Sequence, residues 1–257
     1  MYNAGFNSHR PGAYPPPNQA APDPVAGESG SGAAPRTARR TPRPDIPPRP
    51  ARAQHSEAKW NPNTVQENGK TALMEAIVSD DYELFAAMLQ HRQIQLNVTD
   101  GEGNTALHHA ALHDRGDMTT ALLRKHGICA DKKRDSGSTP LHIASDKGHT
   151  SVVEALLKSD LIDCNESCDK VHTPLLYAAR SGHVAVVKLL LKDHRVDCNK
   201  ESMGGYTALL AAAANGHALV VEELLKVNEI KFDTLTQNDV TPLNLAAFKG
   251  HALVVEM

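Results

Sequence analysis

The chain is poor in aromatic residues, 4% against 40% hydrophobic overall, and holds one tryptophan. A core of bulky rings is excluded, so packing must run through leucine, valine and alanine. Cysteine is scarce. Four in 257 residues do not make a disulfide scaffold, and a reducing compartment, cytoplasmic or nuclear, is expected. No apolar run approaches the ~18 residues that cross a bilayer, so no membrane contact is expected. The start, Met1-Tyr2-Asn3-Ala4-Gly5-Phe6, lacks the apolar stretch of a secretory signal. An excess of positive charge is missing too: the net charge is −3, which argues against nucleic acid as the main partner. Nucleophile elbow, Walker loop and kinase signature are all absent. Neither an enzyme nor a cofactor is expected.

Composition divides the chain. Residues 1–60 hold most of the prolines and few apolar clusters, which predicts a disordered tail. Its cations before Lys59 are all arginine: Arg10, Arg36, Arg39, Arg40, Arg43, Arg49 and Arg52. Pro44-Asp45-Ile46-Pro47-Pro48-Arg49 fits P-x-x-P-x-R, and a second match through Pro50 to Arg52 overlaps it. Polyproline II places such prolines on one face, so this is an SH3-ligand candidate. Any linker rich in proline and arginine produces similar matches.

From residue 61 the chain repeats itself, and repeats govern the fold when present. Thr71, Thr105, Thr139, Thr173, Thr207 and Thr241 stand 34 residues apart. Two positions on is always leucine (Leu73, Leu107, Leu141, Leu175, Leu209, Leu243), and five on is always alanine (Ala76, Ala110, Ala144, Ala178, Ala212, Ala246). The threonine predicts an N-cap, reinforced by Pro140, Pro174 and Pro242 at the next position. The leucine should enter the core. The alanine must be small, because neighbouring inner helices approach closely there. Gly148, Gly182, Gly216 and Gly250 supply a left-handed reversal before a second apolar helix, such as Val186-Val187-Lys188-Leu189-Leu190-Leu191.

Thr139-Pro140-Leu141-His142-Ile143-Ala144 resembles the T-P-L-H-x-A phrase of the ankyrin repeat, and the four Gly-His pairs from Gly148-His149 to Gly250-His251 resemble its second signature. The resemblance implies an all-α solenoid of stacked helix–turn–helix units with short β-hairpin fingers. The domain would span 61–257, with repeats at about 66–99, 100–133, 134–167, 168–201, 202–235 and an incomplete 236–257. Asp80-Asp81 and Asp114-Arg115 replace Gly-His in the first two repeats. Val171 and Asp239 replace the finger glycine found at Gly69, Gly103, Gly137 and Gly205. Distorted finger turns are expected at those two places. The sixth repeat stops at Met257 inside its second helix, so the chain reads as a fragment or as one with a frayed end.

His142, His149, His183, His217 and His251 occupy signature positions and should bond neighbouring loop backbone. His109 and His113 are four apart on one helix, yet no H-E-x-x-H carboxylate accompanies them, so no metal site is assigned. Cys164 and Cys198 lie in equivalent places roughly 10 Å apart, too far for a disulfide, and all cysteines are expected as thiols. Arg115-Gly116-Asp117 spells an adhesion tripeptide, read here as coincidence.

The resemblance also implies where a partner binds: the finger tips and the last turn of each first helix. The finger set contains Asp135, Asp169, Lys170, His172, Met203, Tyr206 and Asn238. The helix set contains Leu112, His113, Asp146, Lys147, Arg180 and Phe248. Interface hot spots favour tyrosine and arginine near the centre, which selects His172, Arg180 and Tyr206, with Phe248 outlying. Tyr177 is assigned to the core. Asn165 and Asn199 match the pattern hydroxylated by the cytosolic asparaginyl hydroxylase in ankyrin proteins.

The function expected is a monomeric, non-catalytic scaffold or adaptor for another protein. Two alternatives stand beside it. One is a secreted bacterial effector acting in a host cytosol, suggested by the arginine-only tail. The other is the targeting arm of a larger enzyme, suggested by the end at Met257. A spacer with no ligand is the bland reading of the same stack.

Overall fold

A computed structural model describes residues 62–169 and 171–257, and within them every threonine phrase opens a helical hairpin. The first helices are α1 (Ala72–Val78), α3 (Ala106–Leu112), α5 (Pro140–Lys147), α7 (Pro174–Arg180), α9 (Ala208–Ala214) and α11 (Pro242–Phe248). Their partners are α2 (Tyr82–Leu89), α4 (Gly116–Leu123), α6 (Thr150–Leu157), α8 (Val184–Lys192), α10 (Ala218–Leu225) and α12 (Ala252–Val255). Each first helix packs on the next first helix, and each second helix on the next second helix, which makes two parallel layers.

Local chemistry sets the helix starts. Thr71, Thr173, Thr207 and Thr241 accept from the N–H three residues on, as an N-cap should. Thr105 and Thr139 differ. Their hydroxyls donate to Nδ1 of His108 and His142 at 2.8 Å, so the imidazole is the acceptor at these two helix starts. The reversals fall where expected, with Gly148, Gly182, Gly216 and Gly250 at φ of 77, 77, 73 and 75°.

The small-residue column explains the lack of aromatics. Ala76, Ala110, Ala144, Ala178, Ala212 and Ala246 are wholly buried where first helices meet. The leucine column is buried as far as Leu209. Leu243 is 54% exposed, because α11 has a first helix on one side only.

The fingers depart from expectation. Each closes through two backbone hydrogen bonds, such as Arg134 N–H to the Ser138 carbonyl (3.1 Å) with Gly137 N–H to the Arg134 carbonyl (2.8 Å), and Ser202 N–H to the Tyr206 carbonyl (2.9 Å) with Gly205 N–H to the Ser202 carbonyl (3.1 Å). Among the described residues the only strand-like pairing is an isolated bridge, Val65 to Thr71. The fingers are therefore tight turns and not β-hairpins; five residues give no room for a ladder. The turns at Val171 and Asp239 are not distorted either. Both residues sit at φ 57° and keep both bonds of the finger: Val171 N–H to the Cys168 carbonyl (2.7 Å) with Cys168 N–H to the His172 carbonyl (3.2 Å), and Asp239 N–H to the Thr236 carbonyl (2.9 Å) with Thr236 N–H to the Val240 carbonyl (3.1 Å). The repeat imposes the left-handed geometry, and valine bears it as strain.

A side-chain ladder stitches the opposite edge. Asn63, Asn97, Asn165 and Asn199 each donate to a carbonyl of the following loop (Gln93, Gly127, Arg195, Glu229) at 2.6–2.7 Å. Each also accepts an N–H two residues further on, at 2.7–2.9 Å. Asp131 takes the missing rung. It accepts from Asp163 N–H at 2.6 Å, but its other oxygen is buried with no partner.

Candidate functional site

The histidines come first because they build the frame. Nδ1 of His108 and His142 accepts the N–H of Thr105 and Thr139, at 3.1 and 3.2 Å. Their Nε2 atoms then carry the proton, and donate to the carbonyls of Ser138 and His172 in the next finger, at 3.1 and 3.0 Å. Burial lowers both to about 4, which keeps them neutral. The Gly-His histidines point the other way, into the preceding repeat. His183, His217 and His251 donate from Nε2 to the carbonyls of Asp146, Arg180 and Ala214, at 2.9, 2.9 and 3.1 Å. His149 uses Nδ1 toward Ala111, at 2.8 Å. These rings lie so close over the glycine of the preceding repeat that a Cβ on Gly148, Gly182 or Gly216 would collide with them.

The two departures from Gly-His compensate each other. Asp80 and Asp114 occupy the glycine position at φ 59 and 54°. Arg115 stands where histidine would. It donates to the Ile77 carbonyl at 3.3 Å and pairs with Asp80 at 3.2 Å, so the arginine of Arg115-Gly116-Asp117 serves the stack. His109 donates through Nε2 to the Asp100 carboxylate at 2.9 Å, and its ring lies parallel to His113 with centroids 6.3 Å apart. All four cysteines are free, and only Cys129 is exposed.

The polar cluster facing the groove of the first helices centres on Tyr177, which sequence reasoning had placed in the core. It is half-buried, with the edges of His142 and His172 against its ring at 5.9 and 5.4 Å. The Arg180 guanidinium stacks 4.7 Å from the ring centroid, a cation–π contact. Arg180 also reaches Asp146 at 3.3 Å, and Ser181 Oγ donates to the same carboxylate at 3.1 Å. The missed signal was spacing: Tyr177 and Arg180 are three apart and share a helix face.

The predicted residues divide. His172 is 8% exposed and packs on Tyr177. It therefore supports the cluster from beneath and does not present a surface, because its carbonyl closes the finger and receives His142. Arg180 and Tyr206 are partly exposed, and Asp135, Asp169 and Asn238 are exposed at finger tips. Met203 is 66% exposed and Phe248 89% exposed. Arg180 and His172 meet at Tyr177; Phe248 stands apart on α11. Lys170 and the residues of the SH3-ligand candidate lie outside the described residues. Asn165 and Asn199 are rungs of the ladder, with both amide atoms engaged.

A cleft of about 110 Å³ lies beside Tyr177, between α3, α5 and α7. A larger cleft of about 440 Å³ runs along Ile94–Val98 on the loop edge. Its polar backbone is already served by Asn97, so the smaller, functionalised cleft is the better candidate.

Comparison with known proteins agrees with this geometry. The sequence profile described as Ankyrin repeats (3 copies) matches residues 52–134, 121–202 and 194–257. The crystal structure of EF0377, an ankyrin repeat protein, superposes with a TM-score of 0.67 at 28% identity, covering 74% of this chain and 96% of that one. No curated protein matches the chain. With threonine-opened hairpins in one register, histidines that read the carbonyls of adjacent repeats and a profile match across most of its length, the chain belongs to the ankyrin repeat family.

Proposed function

We propose that this chain is a non-catalytic scaffold or adaptor whose protein partner docks in the groove beside Tyr177 and Arg180. Ankyrin repeats are generally protein–protein interaction modules. The observation that carries the specific reading is the Tyr177–Arg180–Asp146 cluster, a partly exposed aromatic with its cation held in place. A pre-ordered tyrosine–arginine pair loses little side-chain entropy on binding. Met203, Asp135, Asp169, Asn238 and Tyr206 form the adjoining rim, with Lys170 expected there as well. The setting is cytoplasmic or nuclear, and the chain acts as a monomer.

The test is affinity capture with the full chain and an Arg180→Ala/Tyr206→Ala variant, from eukaryotic cytosol and from bacterial lysate. A protein held by the parent and lost by an equally folded variant supports the groove. Retention of the same protein by both sinks it. The arginine-only tail favours a second reading, a secreted effector; a translocation reporter on residues 1–60 that no bacterial system exports would reject that.

Asn165 and Asn199 are proposed hydroxylation sites. Their amides must leave the ladder to be modified, so modification should be faster in urea-loosened protein than in the native stack. Equal rates would show that the rungs do not limit access.

A further inference from the structure

The cleft beside Tyr177 has an unbalanced charge. Arg134 enters it from the finger before α5, and Lys147 from the end of α5. Arg134 Nε is buried with no hydrogen-bond partner, and among the described residues neither cation pairs with a carboxylate. The one acid lining the cleft, Asp146, is already held by Arg180 and Ser181. The nearby finger acids are turned away. Asp135 lies against Gly103, and Asp169 against Gly137, in the preceding fingers, where any Cβ would strike their side chains. Leu112 and Ile143 add apolar wall.

A buried guanidinium nitrogen without a partner is costly, and a carboxylate placed there would gain charge-assisted hydrogen bonds. At about 110 Å³ the cleft is well below the ~300–1,000 Å³ of small-molecule sites. It suits one side chain. We infer that the Arg134–Lys147 cleft receives an aspartate or glutamate side chain of the partner, so that this ankyrin groove selects an acidic segment. The inference rests on the groove reading above and narrows it to one chemistry.

The test is selection of a random peptide display library on the full chain, followed by binding of the selected peptides in solution. The expected result is an acidic residue common to the selected peptides. Arg134→Gln/Lys147→Gln should weaken binding about tenfold or more, and so should the acid-to-amide change in the peptide, with little added loss when both are combined. A Lys147→Glu variant should recover a peptide carrying lysine in place of its acid, which separates recognition from any folding defect. Peptides with no acidic preference, lost with Tyr177→Ala/Arg180→Ala but indifferent to Arg134→Gln/Lys147→Gln, overturn the acidic cleft and leave the groove standing. Selection of no peptide, or of peptides indifferent to both variants, overturns the groove and the cleft together.

Discussion

Replacing Asp131 with asparagine should stabilise the stack. At four equivalent rungs the amide gives one bond to a carbonyl and takes one from an N–H. Asp131 makes only the second, to Asp163, and its remaining oxygen is buried without a donor. A buried unsatisfied polar atom costs about 1–3 kcal/mol. The rung lies at a partly exposed loop edge, so the lower half applies, and Asp131→Asn should gain about 1–2 kcal/mol. For a domain of this size that is roughly 2–8 °C in Tm.

The gain should depend on pH. Burial raises the Asp131 carboxyl above its usual 3.8, and the nearby Asp163 and Glu166 charges add to that, against the Asp163 N–H bond. A raised acid binds its proton more tightly folded than unfolded. Its contribution therefore improves as pH falls through the raised value and is complete below 3.8. Protonated Asp131 also carries an O–H donor and imitates asparagine. The difference between parent and variant should thus shrink as pH falls from 7 toward 4. Urea unfolding followed by circular dichroism at both ends measures it. Asn165→Asp should create the same defect one repeat along, with a similar loss. An Asp131→Asn protein no more stable than the parent at pH 7, or a gain that ignores pH, would refute the argument.

Other predictions follow from the same geometry. His108 and His142 are held near 4 when folded against 6.5 when free, so they favour the fold above pH 6.5. That contribution is lost as pH falls toward 4, on the order of 3 kcal/mol each at the limit. His108→Leu/His142→Leu, which copies Leu176 and Leu210 at the same register, should flatten urea midpoints between those pH values; an unchanged slope would assign the acid sensitivity elsewhere. Val171→Gly removes left-handed strain of ~1–2 kcal/mol against ~0.4–1 kcal/mol of added unfolded freedom, so a small rise in Tm is expected, and a fall would mean the turn is relaxed as it stands. Ala178→Leu forces α7 from its neighbours and should cost about 1–3 kcal/mol; a variant that melts like the parent would overturn the close-packing assignment.

What was legible in the sequence was whatever six repeats have in common. Thr71 to Thr241 each open a helix, the leucines are buried from Leu73 to Leu209, and Ala76 to Ala246 are all wholly buried. The Gly-His pairs were legible for the same reason. The pair Asp80 and Arg115 was not. Read down single columns, each looks like a loss of signature, and only the packing shows that one repeat's arginine bonds the carbonyl and aspartate of the repeat before. The resemblance suggested hairpins, but five residues close on themselves through two turn bonds and leave no length for a strand. The burial of His172 was not legible: its finger position reads as a tip, yet it is 8% exposed and its carbonyl is bonded by both Cys168 N–H and His142. The 1–60 tail, with Pro44, Pro47, Arg49, Pro50 and Arg52, lies outside the described residues.

Tyr177 is half-buried, packed on His142 and His172 and open to the cleft, and its column does not repeat. Its column reads Glu75, His109, Ile143, Tyr177, Ala211 and Leu245. His109, Ile143 and Ala211 of that column are buried, so each repeat fills the position with a different side chain. The column of Lys147 (Ser79, His113, Lys147, Ser181, Asn215, Lys249) and that of Arg134 (Gln66, Asp100, Arg134, Cys168, Ser202, Thr236) are equally mixed. All three columns supply residues to one cleft. A column that must fill the same gap in every repeat becomes uniform, as the alanines did. One that varies from repeat to repeat gives each cleft its own lining, and such differences distinguish one repeat's groove from the next. The search for specificity therefore belongs in the irregular columns, which periodicity reveals by failing.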